Sequence, residues 1–358
     1  MRALRFHGPG DLRLENDINE PLCGKDQVKI QPSFVGICGT DLHEYSSPTF
    51  IPSKEKPHPV TGESRPVTIG HEISGIVVEV GSEVNPDFIS LGDKVAVQST
   101  ICCFNCTFCK EENYNCCIKG GFIGLSGGGG GMSDFLCVNS KFVHKLPPGI
   151  GLDIGALVEP LATSWRAVTE SGIRPGDHVL IFGAGPLGLG VIQCCKARGA
   201  KKIIVAEVSS RRQMLAREFG ATHVVDTNEE DIVKVARDLS DDGQGPQISI
   251  DCAGLAVTLK SACLATRPRG IVVNVAIWEK AVEFNPNLLV FGERRYHSVL
   301  GYSREDFQGV IRAIEARLLT PQAMITRTIS IDRVVEDGFS ALIQHKDREV
   351  KIQIDMSK

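Results

Sequence analysis

Six cysteines lie close together in the stretch CCFNCTFCKEENYNCC, residues 102–117. Four thiolates at short spacing can hold a tetrahedral zinc ion, two pairs can form disulfides, and a pair with one exposed thiol of low pKa can do redox chemistry. The crowding of the cysteines by itself leaves these three alternatives open.

A second set of residues with metal-binding chemistry is spread over three segments. GICGTDLHEY contains Cys38, Thr40 and His43, TIGHEISG contains His71 and Glu72, and ALVEPLATSW contains Glu159. A thiolate, an imidazole and a carboxylate form the mixed ligand set that is typical of a catalytic zinc with an open coordination position. Taken singly, a cysteine or a histidine of this kind is more often an ordinary core residue. A second zinc site therefore requires that the segments converge in the fold.

The stretch HVLIFGAGPLGLGVIQCCKARGA places Gly183, Gly185 and Gly188 in the pattern G-x-G-x-x-G between an apolar strand and an apolar helix. The first glycine permits a tight turn, the second lets the backbone approach a pyrophosphate, and the third allows the helix to pack closely. The phosphates would lie beside Pro186 and Leu187, where the N–H groups of the helix N-terminus favour negative charge. A glycine-rich structural turn is the alternative, but the flanking elements favour a dinucleotide site.

An acidic residue follows at the end of the next strand-like run. Glu207 lies in KKIIVAEVSSRRQ, nineteen residues after Gly188. A carboxylate there accepts hydrogen bonds from the ribose hydroxyls and repels a 2′-phosphate, so that NAD is favoured over NADP. Residues 209–212 could instead cradle that phosphate. Of their two arginines, Arg212 is assigned to the cofactor and Arg211 to a solvated helix face.

The composition is that of a globular protein large enough for two domains. The chain has 358 residues, 42% of them apolar and 23% charged, with a net charge of −4. This charge argues against nucleic acid or an anionic membrane as a partner. We find neither a secretory signal nor an apolar run long enough to span a membrane, so a cytoplasmic protein is expected. In that reducing compartment thirteen cysteines indicate thiols or metal sites rather than disulfides.

The pattern of apolar runs and turn-forming residues changes along the chain. Residues 1–160 contain short β-like runs separated by glycine and proline, as in an irregular, mostly antiparallel domain. Residues 161–300 alternate strand-like and amphipathic stretches, which predicts an α/β fold with a doubly wound parallel sheet of the Rossmann type. Residues 301–358 are expected to return to the first domain. The predicted parallel strands are His178–Phe182, Lys202–Ala206, His223–Val225, Ile248–Asp251, Ile271–Val275 and Ser298–Gly301.

One helix of the second domain has clear end signals in the sequence. It covers Ser209–Phe219, with Ser209 as the N-cap and Gly220 as the stop.

The motif Gly70-His71-Glu72-x-x-Gly75-x5-Gly81-x-x-Val84 matches the signature of the zinc-containing medium-chain dehydrogenase/reductase (alcohol dehydrogenase) family. GICGTDLH, LGDKVAV, LVEPLA and VLIFGAGPLG also resemble that family, in the same order, and the resemblance extends over essentially the whole chain. The chain further resembles the (R,R)-butanediol dehydrogenase and sorbitol dehydrogenase-like branch of that family in HEYSSPTFIPSKEK…PVTIGHEISG, IVAEVSSRR, FGERRYHSVLGYSREDF and the tail HKDREVKIQI. The resemblance implies a GroES-like catalytic domain joined to a Rossmann domain that binds NAD.

The resemblance also implies a catalytic zinc. Cys38 and His71 would bind it, Glu72 or Glu159 would complete the ligand set, and substrate or water would take the open position. Which of the two glutamates binds the metal stays open.

Further roles carry over from the family by position. Thr40 and His43 match its proton relay, in which the threonine hydroxyl touches the substrate oxygen and the histidine passes the proton outward through the nicotinamide ribose. Val275 would contact the nicotinamide half of the cofactor, and Lys351 would approach its pyrophosphate. A turn threonine, a surface imidazole, an apolar strand residue and a surface lysine are the respective alternatives.

The family's structural zinc lobe has the spacing C-x2-C-x2-C-x7-C. Cys103, Cys106, Cys109 and Cys117 fit it at every position, whereas starting at Cys102 or ending at Cys116 breaks it. Two zinc ions per chain are therefore implied. Phe104 and Glu112 replace glycines that are usual in this lobe, and because both restrict positive φ we expect the lobe to be locally reshaped.

Two further segments bear on the substrate, namely the long insertion Tyr45–Val67, which contains five prolines, and the glycine run Gly127–Gly131, which replaces a shorter hairpin of relatives. Both are expected to form loops at the rim of the site, and they leave the size of the substrate open.

The leading hypothesis is a zinc-dependent oxidoreductase that transfers hydride between NAD(H) and a secondary alcohol or ketone, such as a vicinal diol or hydroxyketone. The alternatives within the family are a polyol or amino-alcohol dehydrogenase and a biosynthetic dehydrogenase for a larger metabolite. The alternative from a different functional class is a zinc protein that senses the cofactor without catalytic turnover. The resemblance also implies a homodimer or homotetramer that assembles through the cofactor domains.

Overall fold

The computed structural model describes residues 1–278, 280–344 and 349–358. Residues 345–348, which begin the tail segment HKDREVKIQI, lie outside the described part. The chain forms two compact units, one of residues 1–159, 303–315 and 325–358 and one of residues 160–302 and 316–324. Of the C-terminal segment 301–358, residues 303–315 and 325–358 belong to the first unit. Residues 301–302 and 316–324 belong to the second, where Thr320 N–H donates to Gln193 Oε1 at 2.9 Å.

The described residues of the two units form sixteen strands and eleven α-helices. The strands are β1 Ala3–Gly8, β2 Asp11–Glu15, β3 Gln27–Gly36, β4 Val67–Thr68, β5 Glu72–Val80, β6 Lys94–Val97, β7 Leu136–Asn139, β8 Val143–Lys145, β9 His178–Phe182, β10 Lys202–Ala206, β11 His223–Val225, β12 Ile248–Asp251, β13 Ile271–Asn274, β14 Arg295–Ser298, β15 Ile325–Ser330 and β16 Lys351–Asp355. The helices are α1 Gly39–Ser46, α2 Thr107–Lys110, α3 Leu152–Gly155, α4 Val158–Glu170, α5 Pro186–Ala197, α6 Ser210–Phe219, α7 Ile232–Asp238, α8 Ala256–Ala265, α9 Asn287–Val290, α10 Arg304–Glu315 and α11 Ala341–Gln344.

The second unit is built on a six-stranded parallel sheet with the order β11-β10-β9-β12-β13-β14. This is the doubly wound arrangement that the strand and helix alternation predicted. Its central strands are buried, and their apolar runs therefore reveal them in the sequence. The last strand was placed wrongly, at Ser298–Gly301 rather than Arg295–Ser298. β14 is an edge strand whose four residues are all exposed, so it carries no apolar pattern.

The first unit is mostly antiparallel. One sheet has the order β15-β16-β3-β5-β6-β8, with β7 also paired to β3, and a smaller sheet has the order β2-β1-β4. β3 is the longest strand, and it pairs with β5, β7 and β16. Its apolar residues enter two separate cores, one around Val35 and Ile37 and one around Val28 and Ile30. The ends of β3 and β5 position the metal-binding residues described below.

The helix predicted over 209–219 forms one residue later, as α6. The Ser209 side chain accepts the hydrogen bond of Arg212 N–H, and Gly220 ends the helix with φ 114°. Both end signals therefore act as the sequence indicated.

Among the described residues, no helix combines the length and apolar character that crossing a membrane requires.

Candidate active site and zinc centres

Cys38 lies two residues after the end of β3 at Gly36 and is the N-cap residue of α1. Its backbone N–H donates to Asp41 Oδ2 at 2.9 Å, and its Sγ lies 3.6 Å from Thr40 Oγ1. A carboxylate in the first turn is favourable because it faces the unpaired N–H groups and the positive end of the helix dipole. α1 therefore fixes the thiol and the hydroxyl side by side.

His71 immediately precedes β5, and its side chain is buried. Its Nδ1 lies 3.2 Å from Asp41 Oδ1, while its carbonyl accepts a hydrogen bond from Ser99 Oγ. Burial disfavours the charged ring, but the Asp41 carboxylate and the Cys38 thiolate raise the pKa of His71 well above its ordinary value. A carboxylate on Nδ1 orients a histidine so that Nε2 can bind a metal.

Two of the three segments, that of Cys38 and that of His71 and Glu72, converge as a second zinc site requires. Among the described residues, the ligand atoms of Cys38, His71 and Glu72 all lie within 4.8 Å of one another. Thiolate, imidazole and carboxylate are the donors that a catalytic zinc accepts while one position stays open. The chemistry and the burial of this cluster therefore fit a zinc ion.

The carboxylate of Glu72 is shared with a lysine of β16. Lys351 Nζ lies 2.6 and 2.8 Å from the two oxygens of Glu72 and donates to Ile37 O at 3.1 Å. These contacts use all three donors of a fully buried ammonium group, so the structure does not place Lys351 where the resemblance did, on the pyrophosphate. Gly36 accommodates the pair, because a Cβ there would lie 1.9 Å from Glu72 Oε2.

Glu159 is buried near the start of α4 and does not belong to the 4.8 Å cluster of the described residues. Burial disfavours the charged form of Lys351, yet the carboxylates of Glu72 and Glu159 together with Cys38 raise its pKa. Glu159 thus acts electrostatically on the same lysine that binds Glu72.

Thr40 and His43 lie one turn apart on α1. Thr40 contacts the Cys38 sulfur, as described, and His43 Nδ1 lies 3.7 Å from Glu44 Oε1. The hydroxyl is therefore next to the metal-binding group, and the partly exposed imidazole lies further along the helix.

The four cysteines selected by spacing form a separate cluster in the first unit. Their sulfurs lie within 4.8 Å of one another, with Cys103–Cys117 at 3.5 Å and Cys103–Cys109 and Cys106–Cys117 at 4.0 Å. A tetrahedron with Zn–S bonds of about 2.3 Å has edges of about 3.8 Å, so the cluster fits a zinc ion. Backbone N–H groups of Cys109 and Ile118 lower the pKa of Cys106 to about 6, which favours the thiolate that a metal binds.

The lobe keeps a left-handed backbone at the two positions that lack glycine. Phe104 has φ 56° and Glu112 has φ 61°. The expected reshaping is therefore not seen at these residues, which adopt the strained conformation themselves. The Phe104 ring stacks on Phe142 and meets Tyr114 edge-on, both at 5.9 Å, and Lys141 Nζ lies 5.6 Å from its centre. These contacts offset the strain at Phe104, whereas Glu112 is exposed.

The glycine loop of the second unit has the geometry of a phosphate cradle. Gly183 has φ 88°, and a Cβ on Gly188 would lie 2.0 Å from Gly183 O. Gly185 caps α5, which begins at Pro186 and continues through Leu187. The cradle is therefore open at the N-terminus of a twelve-residue helix, where N–H groups can receive a pyrophosphate.

Glu207 follows β10, where the sequence placed it. Its Oε2 accepts Ala184 N–H at 2.7 Å, and its Oε1 accepts the N–H groups of Val208 and Ser209 at 2.9 Å. The carboxylate is thus held beside the glycine loop. The Arg212 guanidinium lies 4.0 Å from the point where a Cβ on Gly185 would be. Val275 follows β13 and is buried.

Three polar residues around the site were not singled out in the sequence, namely Asp41, Glu44 and Ser99. Asp41 lies three residues after Cys38, which the structure shows to be the N-cap of α1, and an acid at this position pairs with the cap backbone. Glu44 and Ser99 have no comparable signal, since their partners lie in a loop turn and on His71.

Comparisons with known proteins agree with this geometry. Residues 24–148 match the model of the alcohol dehydrogenase GroES-like domain, and residues 186–316 match that of the zinc-binding dehydrogenase. The chain is 41% identical to (R,R)-butanediol dehydrogenase of Bacillus subtilis over 99% of both proteins, and 32% identical to sorbitol dehydrogenase of Bombyx mori over 93% of both. The crystal structure of 2R,3R-butanediol dehydrogenase from Bacillus subtilis superimposes with a TM-score of 0.91 at 39% identity, covering 99% of each chain. The chain therefore belongs to the zinc-type alcohol dehydrogenase family and is an oxidoreductase.

Proposed function

We propose that this protein is an NAD-dependent zinc dehydrogenase that interconverts a vicinal diol and its hydroxyketone. The observation that carries the proposal is the buried cluster of Cys38, His71 and Glu72, with Asp41 against the far nitrogen of the histidine. The butanediol dehydrogenase of Bacillus subtilis, which is similar over the full length, supports a diol as substrate.

The reaction removes a proton from the hydroxyl and a hydride from the same carbon. A zinc ion held by Cys38 and His71, with Glu72 as the nearest carboxylate, would act as a Lewis acid that lowers the pKa of a bound hydroxyl. A nicotinamide ring bound to the second unit would accept the hydride.

The residues of α1 provide the proton path in this proposal. Thr40 Oγ1, next to the Cys38 sulfur, would accept the hydroxyl proton while giving up its own, and the partly exposed imidazole of His43 would take the released proton and pass it towards solvent. Asp41 holds both the Cys38 backbone and the His71 ring in place, so one carboxylate aligns two of the three metal-binding residues.

NAD is the proposed cofactor because Glu207 places a buried carboxylate beside the glycine loop. A 2′-phosphate would meet this negative charge, whereas ribose hydroxyls can donate to it. The Ser209 hydroxyl already caps α6, which weakens the alternative in which residues 209–212 cradle a phosphate. Arg212 lies close enough to Gly185 to contact the cofactor.

We also propose two zinc ions per chain, the second in the cluster of Cys103, Cys106, Cys109 and Cys117. Four sulfurs fill a tetrahedral shell and leave no open position, so this ion would brace the lobe without reacting. Native mass spectrometry is expected to find two zinc ions in the unaltered chain and one in Cys38→Ser.

The substrate is tested by mixing the protein with NAD or NADP and a panel of vicinal diols, hydroxyketones, polyols and amino alcohols, and following NADH or NADPH absorbance. We expect the highest kcat/KM for a diol or hydroxyketone with the NAD couple. A preference for polyols would favour the second candidate, for which the similarity to sorbitol dehydrogenase speaks. The absence of turnover on every alcohol and carbonyl would refute the proposal.

A second copy of the chain is the proposed partner, and the cytoplasm the proposed location. The edge strand β14 has four exposed residues, and Val290 and Phe291 are 62% and 85% exposed just before it. An unpaired edge beside apolar side chains is suited to pairing with the same edge of another subunit. Light scattering is expected to give a dimer or tetramer, and Phe291→Glu is expected to shift it towards monomer.

A further inference from the structure

Glu44 is a buried acid that the catalytic chemistry proposed above does not use. It lies in the last turn of α1, one residue after His43, and is only 1% exposed. A carboxylate near the C-terminus of a helix faces the negative end of the helix dipole, so this position is unfavourable unless other groups compensate. The compensation lies in the chain that follows the helix.

The carboxylate of Glu44 binds the first turn of the insertion 45–67. The N–H groups of Thr49, Phe50 and Ile51 donate to its two oxygens at 2.8–3.1 Å. Hydrogen bonds to an ionised acceptor are about twice as strong as neutral ones, and they are stronger still when buried. The insertion is therefore attached to the relay helix at its first turn rather than left as a free loop.

The same turn contacts residues 122–126, which directly precede the glycine run Gly127–Gly131. Ser126 Oγ donates to Phe50 O at 3.2 Å, and the rings of Phe50 and Phe122 meet edge-on at 5.5 Å. Ile51 is buried in the same core cluster as Leu125. A shift of residues 49–51 would consequently shift residues 122–126.

Further along the insertion, two more contacts join the segments. Thr61 Oγ1 donates to Ser126 O at 3.0 Å, and Gly128 N–H donates to Glu63 Oε1 at 2.8 Å. The insertion 45–67 and the segment 122–128 thus form one packed body. Glu44 connects this body to the helix of Thr40 and His43.

We propose that Glu44 is a positioning residue that sets the size of substrate accepted, by holding the insertion 45–67 and the segment 122–128 at a fixed place beside the relay helix. The proposal rests on the dehydrogenase function proposed above. Glu44 itself touches neither metal nor substrate. With Glu44 in place the loops have one position, and the site accepts substrates of a narrow range of lengths. Without Glu44 the loops can move away, and longer substrates bind.

The test compares Glu44→Gln with Glu55→Gln. The control makes the same change of charge at an exposed glutamate of the same insertion. For each protein, kcat and KM are measured on a short and a long member of the substrate class that the unaltered enzyme turns over. We expect Glu44→Gln to change the ratio of the two kcat/KM values about tenfold in favour of the long substrate, through KM, since one methylene at a pocket wall is worth about tenfold or more.

Two further measurements separate positioning from general damage. Zinc content should equal that of the unaltered protein, and kcat on the short substrate should stay within about twofold. Trypsin should cleave after the exposed Lys54 faster than in the unaltered protein, because the loop opens more often. If Glu44→Gln does not fold, Glu44→Asp, which keeps the charge but shortens its reach, takes its place.

Turnover with an unchanged substrate ratio in the Glu44 variant overturns this proposal and leaves the proposed function standing. An equal change in Glu55→Gln also overturns it. Absence of turnover by the unaltered protein overturns the proposed function, and this proposal with it.

Discussion

Phe104 and Glu112 offer a comparison in which one substitution is expected to have opposite effects at two positions of the cysteine lobe. Both residues have left-handed backbone, at φ 56° and 61°, where glycine is unstrained. Replacing either by glycine relieves the same strain. Only Phe104 also loses a packed side chain, because its ring contacts Phe142, Tyr114 and Lys141.

The expected magnitudes follow from these contacts. A left-handed backbone costs a residue with a Cβ about 1–2 kcal/mol, and glycine removes this strain. Glycine also makes the unfolded chain more flexible, which offsets roughly 0.5–1 kcal/mol of the gain in stability. Glu112→Gly should therefore stabilise the lobe by about 0.5 kcal/mol. Two aromatic pairs at roughly 1 kcal/mol each and an exposed cation–π contact of about 0.5 kcal/mol are lost in Phe104→Gly, so its net effect is a loss of about 2 kcal/mol. Phe104→Ala keeps the left-handed strain and should destabilise the lobe by about 0.5 kcal/mol more than Phe104→Gly does.

The assay is the rate at which a chelator withdraws the lobe zinc, measured on Cys38→Ser so that a single ion is observed. Because 1.4 kcal/mol corresponds to about tenfold, Phe104→Gly should release zinc roughly 20–30-fold faster, while Glu112→Gly should release it no faster than the parent. Equal rates for the two glycine variants would refute the reasoning, since they would show that the Phe104 ring contributes nothing to the lobe.

Three other predictions concern buried charges. Lys351→Met leaves Glu72 without its cation and should lower the free energy of unfolding of the zinc-free protein in urea by about 3–5 kcal/mol. In the control Lys29→Met the carboxylate partners are half-exposed, so the loss should be about 1 kcal/mol. Equal losses in the two variants would contradict the ion-pair argument. Asp41→Asn should weaken zinc binding at the mixed site about 10–100-fold in chelator competition while the cysteine lobe keeps its zinc, and loss of both ions would contradict a role specific to that site. Burial, with a smaller contribution from Arg304, lowers the pKa of His144 to about 3. Below pH about 6.5 the unfolded chain therefore binds a proton at His144 that the folded chain does not bind. The free energy of unfolding should fall there by up to about 1.4 kcal/mol per pH unit. That slope should be smaller in His144→Phe, and an unchanged slope would assign it to other groups.

Much of the second unit was visible in the sequence because its signals are local. Four of the six strands have the predicted bounds, β13 ends one residue early, and Ser209 and Gly220 act as the ends of α6. Buried parallel strands are apolar throughout, and helix caps depend on neighbours within four residues. β14 was misplaced because its residues are exposed and it takes its position from backbone pairing with β13.

In the first unit, the sequence identified residue types but not their partners. The spacing of Cys103, Cys106, Cys109 and Cys117 selected four of six thiols, since short loops leave little choice of geometry. The choice between Glu72 and Glu159 depended on which carboxylate lies beside Cys38 and His71, and the structure places Glu72 there. Lys351 was assigned to the cofactor, and only the fold revealed that its amine is buried against that same glutamate.

The sequence by itself predicted the glycine loop and the cysteine lobe, because each of these depends on residue type and on neighbours a few positions away, and its family motifs indicated the kind of chemistry. The tertiary structure decided how residues far apart in the chain share charge and space. Asp41 meets His71, Lys351 meets Glu72, and Thr61 of the insertion meets Ser126, each across a long stretch of sequence. Such contacts cannot be deduced from spacing, since they depend on sheet register and on which side chains exclude water together.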